Sequence, residues 1–317
     1  MARQIVFMFS GQGSQYYHMG HELYANHGRF RAWMNHCNSI AQPLIGRSLI
    51  EILYGTGSRS DTFDRLLYSN AALLSVQFST ARVLIENEIL PDRLLGYSLG
   101  EFVAAVISGS LSLDEGIGLA VETARLIEAA LEPAIMLAVF DKPEILALAE
   151  DLAGQLWLTA RNFTSNHVVC GAEAAMLELI SRLRRNGIVH HRLPVNYPFH
   201  TPLLEPIAAD YRALCQRLSL HPPRIPVVSS VTTTHVPWYD ADFLWTVVRE
   251  PIEFATTVTR LATDDNVTLI DVGPSGSLAT FVKYLGVPAT SLETMNPFGR
   301  DMASLQHLLA ETQPKLA

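Results

Sequence analysis

The sequence predicts an α/β protein with a discontinuous core, and three observations carry that expectation. Short apolar runs alternate with longer helical stretches; between Met136 and Val195 the rhythm changes to strand, helix, strand, strand, helix, strand; beyond that the first rhythm returns. In order, Ile5–Phe9 reads as a buried strand, because five apolar residues run directly into Ser10-Gly11. Asn70–Glu86 reads as a long helix, Arg93–Gly96 as a short strand, and Leu99–Ser108 and Leu113–Ala130 as helices. Next come strand Met136–Phe140, helix Pro143–Ala153, strands Leu156–Asn162 and His167–Ala172, helix Ala174–Asn186 and strand Ile188–Val195. That β-α-β-β-α-β order, within about sixty residues, is a ferredoxin-like unit. Helix Pro202–Leu218, strand Pro226–Ser229, helix Pro251–Thr263, strand Val267–Gly273 and helix Ser277–Tyr284 then resume the core. The expected division is residues 1–134 with 198–317 as the core and 135–197 as the inserted subdomain.

Bulk properties remove several function classes. Apolar residues are 49% and charged residues 17% of the 317, which fits a globular chain and not a disordered one. A formal charge of −8 disfavours sequence-independent binding to phosphate backbones, so nucleic acid is not an expected partner. Cys37, Cys170 and Cys215 are odd in number, far apart and without metal-binding spacing, which points to a reducing compartment and to neither disulfide nor zinc. No apolar run reaches the roughly 18 residues of a membrane span. A soluble, cytoplasmic protein with no metal or cofactor is expected.

Chemistry concentrates at "GYSLGE". A strand, a Gly-x-Ser-x-Gly turn and an apolar helix put Ser98 on an elbow, with its hydroxyl exposed and the following N–H groups free for a carbonyl oxygen. A serine needs a base. Of the eleven histidines, His200 stands apart in "NYPFHTPLLEP", where the chain re-enters the core ahead of a helix. "FSGQGSQ", Phe9 to Gln15, follows the first strand; it lacks the spacing of a nucleotide loop, and its other use is a backbone N–H aimed at a developing oxyanion.

GQGSQ, GxSLGE and FHTPLL, in that order and spacing, together with "NAALLSVQFSTARVL", "NFTSNHVVCGA" and "LIDVGPSGSLATF", resemble the malonyl-CoA:acyl carrier protein transacylases and the acyltransferases of polyketide synthases. The resemblance covers nearly the whole chain and implies an α/β-hydrolase-like core with an inserted ferredoxin-like subdomain. It also implies that Ser98 is acylated, that His200 serves as general base and later acid, and that the N–H groups of Gln12 and Leu99 form the oxyanion hole. The histidine would be oriented by a backbone carbonyl near Glu253, and Asn162 would lie among the substrate-binding residues.

The departures from the family pattern bear on substrate. Tyr97 replaces a histidine beside the nucleophile, Asn70 replaces a longer amide, and Phe199 narrows the space before His200. Malonyl-type members carry an arginine 25 positions after the serine, where this chain has Thr123. Arg125 is two residues on, roughly 200° around a helix, and cannot stand in. Losing one partner of a buried charge pair costs about 2–5 kcal/mol, so malonyl should bind poorly and neutral acyl groups are favoured. These changes resemble the free-standing acyl hydrolases of trans-acyltransferase polyketide assembly lines, which clear acyl groups from the phosphopantetheine of acyl carrier proteins. The same acyl-enzyme would serve an acyltransferase between thiols, and residue types leave water and thiol open as acceptors. A third reading, a non-catalytic carrier-protein binding module, is disfavoured by the intact Ser98, His200 and GQGSQ. For an acidic carrier protein, the expected docking patch is Arg182, Arg184, Arg185 and Arg192.

Overall fold

In the computed structural model, which describes residues 4–55, 57–263 and 266–312, the chain starts with β1 (Gln4–Phe9), fully buried from Val6 to Phe9. A loop at residues 10–15 leads to α1 (His21–Asn26), α2 (Gly28–Ile45) and α3 (Leu49–Tyr54), none of which the sequence reading had assigned. α4 (Leu66–Glu86) begins four residues before the expected Asn70. It is buried on nearly every side, so its sequence carries no polar stripe. β2 (Arg93–Gly96) and α5 (Gly100–Ile107) form the elbow, and α6 (Leu113–Ala130) opens on a capping box between Ser112 and Glu115. α4 packs between α2 and α6.

The subdomain is β3 (Ile135–Val139), a 3-10 helix (Pro143–Leu152), β4 (Leu156–Phe163), β5 (Asn166–Gly171), α7 (Glu173–Arg185) and β6 (His190–Arg192). Its antiparallel sheet has the order β4-β5-β3-β6, the ferredoxin-like arrangement. Strand alternation divides its side chains between two cores. Ile135, Leu137, Val139 and Val169 pack with Met176, Leu179 and Leu183 of α7, whereas Met136, Val168 and Cys170 face the main core. Residues 143–152 were expected to be an α-helix but form a 3-10 helix broken at Ala149, with no side-chain cap at Lys142. β6 is shorter than Ile188–Val195 because only its middle pairs with β3.

The return to the core begins with a 3-10 helix (Pro202–Ile207) and α8 (Ala208–Cys215) in place of one long helix, since Pro206 has no N–H to continue it. β7 (Val227–Ser229), β8 (His235–Val236), α9 (Ala241–Arg249), α10 (Phe254–Leu261), β9 (Val267–Asp271), α11 (Ser277–Leu285), β10 (Ala289–Glu293) and α12 (Asp301–Thr312) follow. α10 starts after the expected Pro251 because Ile252 is extended and exchanges backbone hydrogen bonds with Thr159 and Arg161 of β4. The six-stranded main sheet has the order β10-β9-β1-β2-β7-β8 and is parallel except for β8. Among the described residues no helix is long and apolar enough to cross a membrane.

Candidate active site

The carboxyl ends of β1 and β2 lie side by side, and the elbow after β2 is where Ser98 sits. Its φ of 54° is in the left-handed region, rarely occupied by residues with a side chain. Gly100 N–H donates to Tyr97 O and Glu101 N–H to Ser98 O, which closes the turn. A Cβ on Gly100 would lie 2.0 Å from Phe9 O, and one on Gly11 would lie 2.7 Å from Ser98 Cβ. These two glycines therefore let the elbow and the loop after β1 touch.

His200 arrives from the chain's return to the core, also left-handed at φ 61°. Its N–H donates to Val248 O at 2.9 Å. Its ring is held at both nitrogens: Nδ1 lies 2.8 Å from Glu250 O, and Nε2 lies 2.8 Å from Ser98 Oγ. A carbonyl only accepts, so Nδ1 carries the hydrogen and Nε2 is left with its lone pair toward the serine. Burial pushes the imidazole down to about 4, against a smaller upward pull from the Glu250 carbonyl, so it is neutral near pH 7. The carbonyl was expected at Glu253 and is instead three residues earlier. Glu253 is turned away: its N–H donates to Ser230 O and its carboxylate pairs with Arg161.

The loop at residues 10–15 is stapled by side chains. Gln77 Oε1 accepts from Ser10 N–H at 2.7 Å, and Gln77 Nε2 donates to Ser10 O at 3.0 Å. Ser14 Oγ donates to Gly11 O at 2.7 Å, and Gln15 Nε2 donates to Pro194 O at 2.8 Å. The Gln12 amide donates to Ser69 Oγ at 3.0 Å and to Asn70 Oδ1. Neither Gln12 N–H nor Leu99 N–H donates to any group among the described residues.

A cavity of about 30 Å3 opens on Ser98 and His200, lined by Gln12, Tyr97, Phe199 and apolar side chains including Met136, Val168 and Ile252. Among the described residues no lysine or arginine lines it, and His200 is neutral. Tyr97 also walls a second cavity of about 170 Å3 that reaches Asn162, Phe281 and His191. The Tyr97 hydroxyl donates to Asn162 Oδ1 at 2.9 Å, tying the elbow to β4 of the subdomain. Besides Asn162, two more of the expected substrate-binding residues stand back from the cavity at Ser98. Asn70 acts one layer out, receiving Gln12 and donating to Ala120 O at 3.0 Å. Thr123 is buried on α6 beside Tyr211 of α8 and does not line the cavity. Arg125 is held outside, paired with Glu122 and Leu44 O.

The expected basic patch is incomplete. Arg182 is neutralised by Asp151 and Glu178, both on the subdomain surface. Arg184, Arg185 and Arg192 line one surface concavity of about 550 Å3 with His190 and His191. Sequence reasoning missed Gln77 and Glu250. A long amide within the continuously buried run Ser69–Ala81 of α4 needs partners, which is a usable signal for the first; the second acts through its main chain, which carries no residue signature.

A serine on a strand-to-helix elbow within hydrogen-bond reach of a neutral histidine, with two unused N–H groups nearby, has the geometry that nucleophilic attack on an acyl carbonyl requires. The family model for the acyl transferase domain matches residues 6–306, and the chain belongs to that family. It is 37% identical over 310 residues to the polyketide biosynthesis acyltransferase homolog PksD of Bacillus subtilis (strain 168), covering 96% of this chain and 95% of that one. The homolog BaeD of Bacillus velezensis is 36% identical, covering 97% and 96%. MCAT from Streptococcus pneumoniae has a related structure, with a TM-score of 0.81, 25% identity, and coverage of 97% and 100%. The fold is thus α/β-hydrolase-like with a ferredoxin-like subdomain, and the protein is an acyltransferase-family enzyme.

Proposed function

We propose that this protein is an acyl hydrolase of polyketide biosynthesis, which releases short neutral acyl groups from the phosphopantetheine thiol of an acyl carrier protein. The observation that carries the reading is the cavity at Ser98: about 30 Å3, apolar and without a cation. So little space beside Ser98 favours a short acyl group such as acetyl over a long one. A carboxylate there would lose its hydration without a partner, and the missing charge pair is worth a factor of roughly 30 to 4,000 in binding.

In the proposed reaction Ser98 Oγ attacks the thioester carbonyl carbon while its proton passes to His200 Nε2. The oxyanion is received by Gln12 N–H and Leu99 N–H. Collapse breaks the C–S bond, and the Nε2 proton leaves with the thiol. Water then attacks the acyl-serine, giving its proton to Nε2; the carboxylic acid departs and Ser98 recovers the proton. Glu250 O accepts from Nδ1–H throughout, fixing the tautomer and favouring the transient imidazolium. Tyr97 and Phe199 bound the acyl group, and Asn162 acts through Tyr97. Arg184 and Arg192 would meet the acidic carrier; Arg182 is set aside by its ion pairs with Asp151 and Glu178, and Arg185 lies 3.5 Å from the Glu178 carboxylate.

A second reading, transfer to another thiol, is favoured by the family and by the names of the relatives PksD and BaeD. One experiment separates the two. Carrier protein loaded with acetyl, a longer acyl or malonyl is incubated with the enzyme, and free holo-carrier is measured. Hydrolysis predicts release of the acetyl group without added thiol and little release of malonyl. Release that requires a second thiol would overturn hydrolysis in favour of transfer.

A further inference from the structure

Ser10 is the first residue beyond the ladders of β1, which end at Phe9 against β2 and at Met8 against β9. It is 2% exposed, so neither water nor a strand serves its backbone. A buried N–H and C=O without partners are costly and let a loop seek other conformations. Both groups are taken by one side chain, the Gln77 amide, which is fully buried on α4 and separated by 67 residues in sequence. Among the described residues the Ser10 backbone has no other partner. Only one orientation of the amide satisfies both bonds, with oxygen toward N–H and nitrogen toward C=O. Ser10 Oγ also reaches Oε1 at 3.3 Å and Ser14 Oγ at 2.9 Å, so the clamp extends along the loop. Gln12, whose N–H is unused, is two residues further on.

We propose that Gln77 is a positioning residue for the oxyanion-binding loop: it supplies the missing rung of the sheet at Ser10 and so aims Gln12 N–H at the reacting carbonyl. This rests on the assignment of Gln12 N–H as an oxyanion donor. Gln77 touches no substrate. Its contribution is felt when negative charge develops, so kcat carries its loss and KM does not.

The test uses the full chain and acetyl-N-acetylcysteamine, with a trifluoromethyl ketone analogue of that thioester as a mimic of the charged intermediate. Gln77→Met keeps the volume and removes both bonds. It is expected to lower kcat by at least about tenfold, to leave KM within about threefold, and to weaken the ketone by the factor lost in kcat. Gln77→Glu adds a readout that a purely structural role would not produce. As a carboxylate it can accept from Ser10 N–H but repels Ser10 O; protonated, it offers C=O and O–H in the geometry of the amide. Its kcat relative to wild type should therefore recover as pH falls from about 8 to about 5.5, in the range where a buried glutamate gains its proton. A folded Gln77→Met with wild-type kcat overturns the proposal. So does a loss of kcat without a matching loss of ketone affinity, or a Gln77→Glu variant whose relative kcat ignores pH. If Gln77→Met does not fold, the pH response of Gln77→Glu decides alone. A wild-type enzyme that never forms acyl-Ser98 defeats the underlying reading, a result distinct from all of these.

Discussion

Lowering the pH from 7 to 5 separates this site sharply from one built on an ordinary histidine. Burial holds His200 down to about 4, where a free imidazole titrates near 6.5. At pH 5 the fraction of neutral, proton-accepting His200 is then about 0.9, against about 0.03 for an unperturbed ring, roughly a thirtyfold difference in acylation rate. The same shift acts on stability. The folded state refuses a proton that the unfolded chain accepts, so stability is full above about 6.5 and falls as pH drops toward about 4, by about 3 kcal/mol in total. The assay is the second-order rate of Ser98 labelling by a fluorophosphonate between pH 4.5 and 8, with circular dichroism at each pH to show that the protein is folded. A rate that halves near pH 6.5 while the fold is intact would refute a buried, neutral base.

Glu101 is enclosed, accepts from the Tyr239 hydroxyl at 2.9 Å, and is pushed up to about 7 by burial. Its raised value means stability is full below about 4.5 and lost as pH rises through about 7, so Glu101→Gln should gain over wild type by about 3 kcal/mol at pH 8.5 and little at pH 4.5; an equal melting difference at both would count against it. Tyr97→Phe strands Asn162 Oδ1 and should cost about 1 kcal/mol in urea unfolding at unchanged m. Reversing charge at Arg184 and Arg192 together should raise KM for carrier-bound substrate about tenfold or more and leave the N-acetylcysteamine thioester unaffected; an equal effect on both substrates would remove the docking assignment.

Periodicity and punctuation exposed most of the architecture. Arg93–Gly96 and Leu113–Ala130 have the bounds read from sequence, because a glycine ends the one and a Ser/Glu box opens the other. Ile252 is extended because β4, distant in sequence, lies beside it, which no local pattern reveals; α2 and α9, by contrast, carry apolar stripes at helical spacing, Phe30, Met34, Cys37, Ala41 and Ile45 on the one and Leu244, Val247 and Val248 on the other, that were legible and went unread. At the site, Ser98 was legible from two glycines and His200 from its place in the chain. Glu250 was not, since a main-chain carbonyl can come from any residue. Thr123 was expected at the cavity because the family resemblance puts an arginine 25 positions after the serine; the short threonine side chain is instead buried beside Tyr211 of α8 and does not line the cavity.

Ser98 and His200 share a backbone conformation that costs an ordinary residue about 1–2 kcal/mol, and that glycine or asparagine occupies more comfortably. Fitness for reaction and resistance to heat therefore pull in opposite directions at the same two positions. A lineage released from selection for turnover could become sturdier by abandoning either one, and Ser98→Gly should melt above Ser98→Ala for that reason. Persistence of both residues in a living population would itself be a record of continuing use.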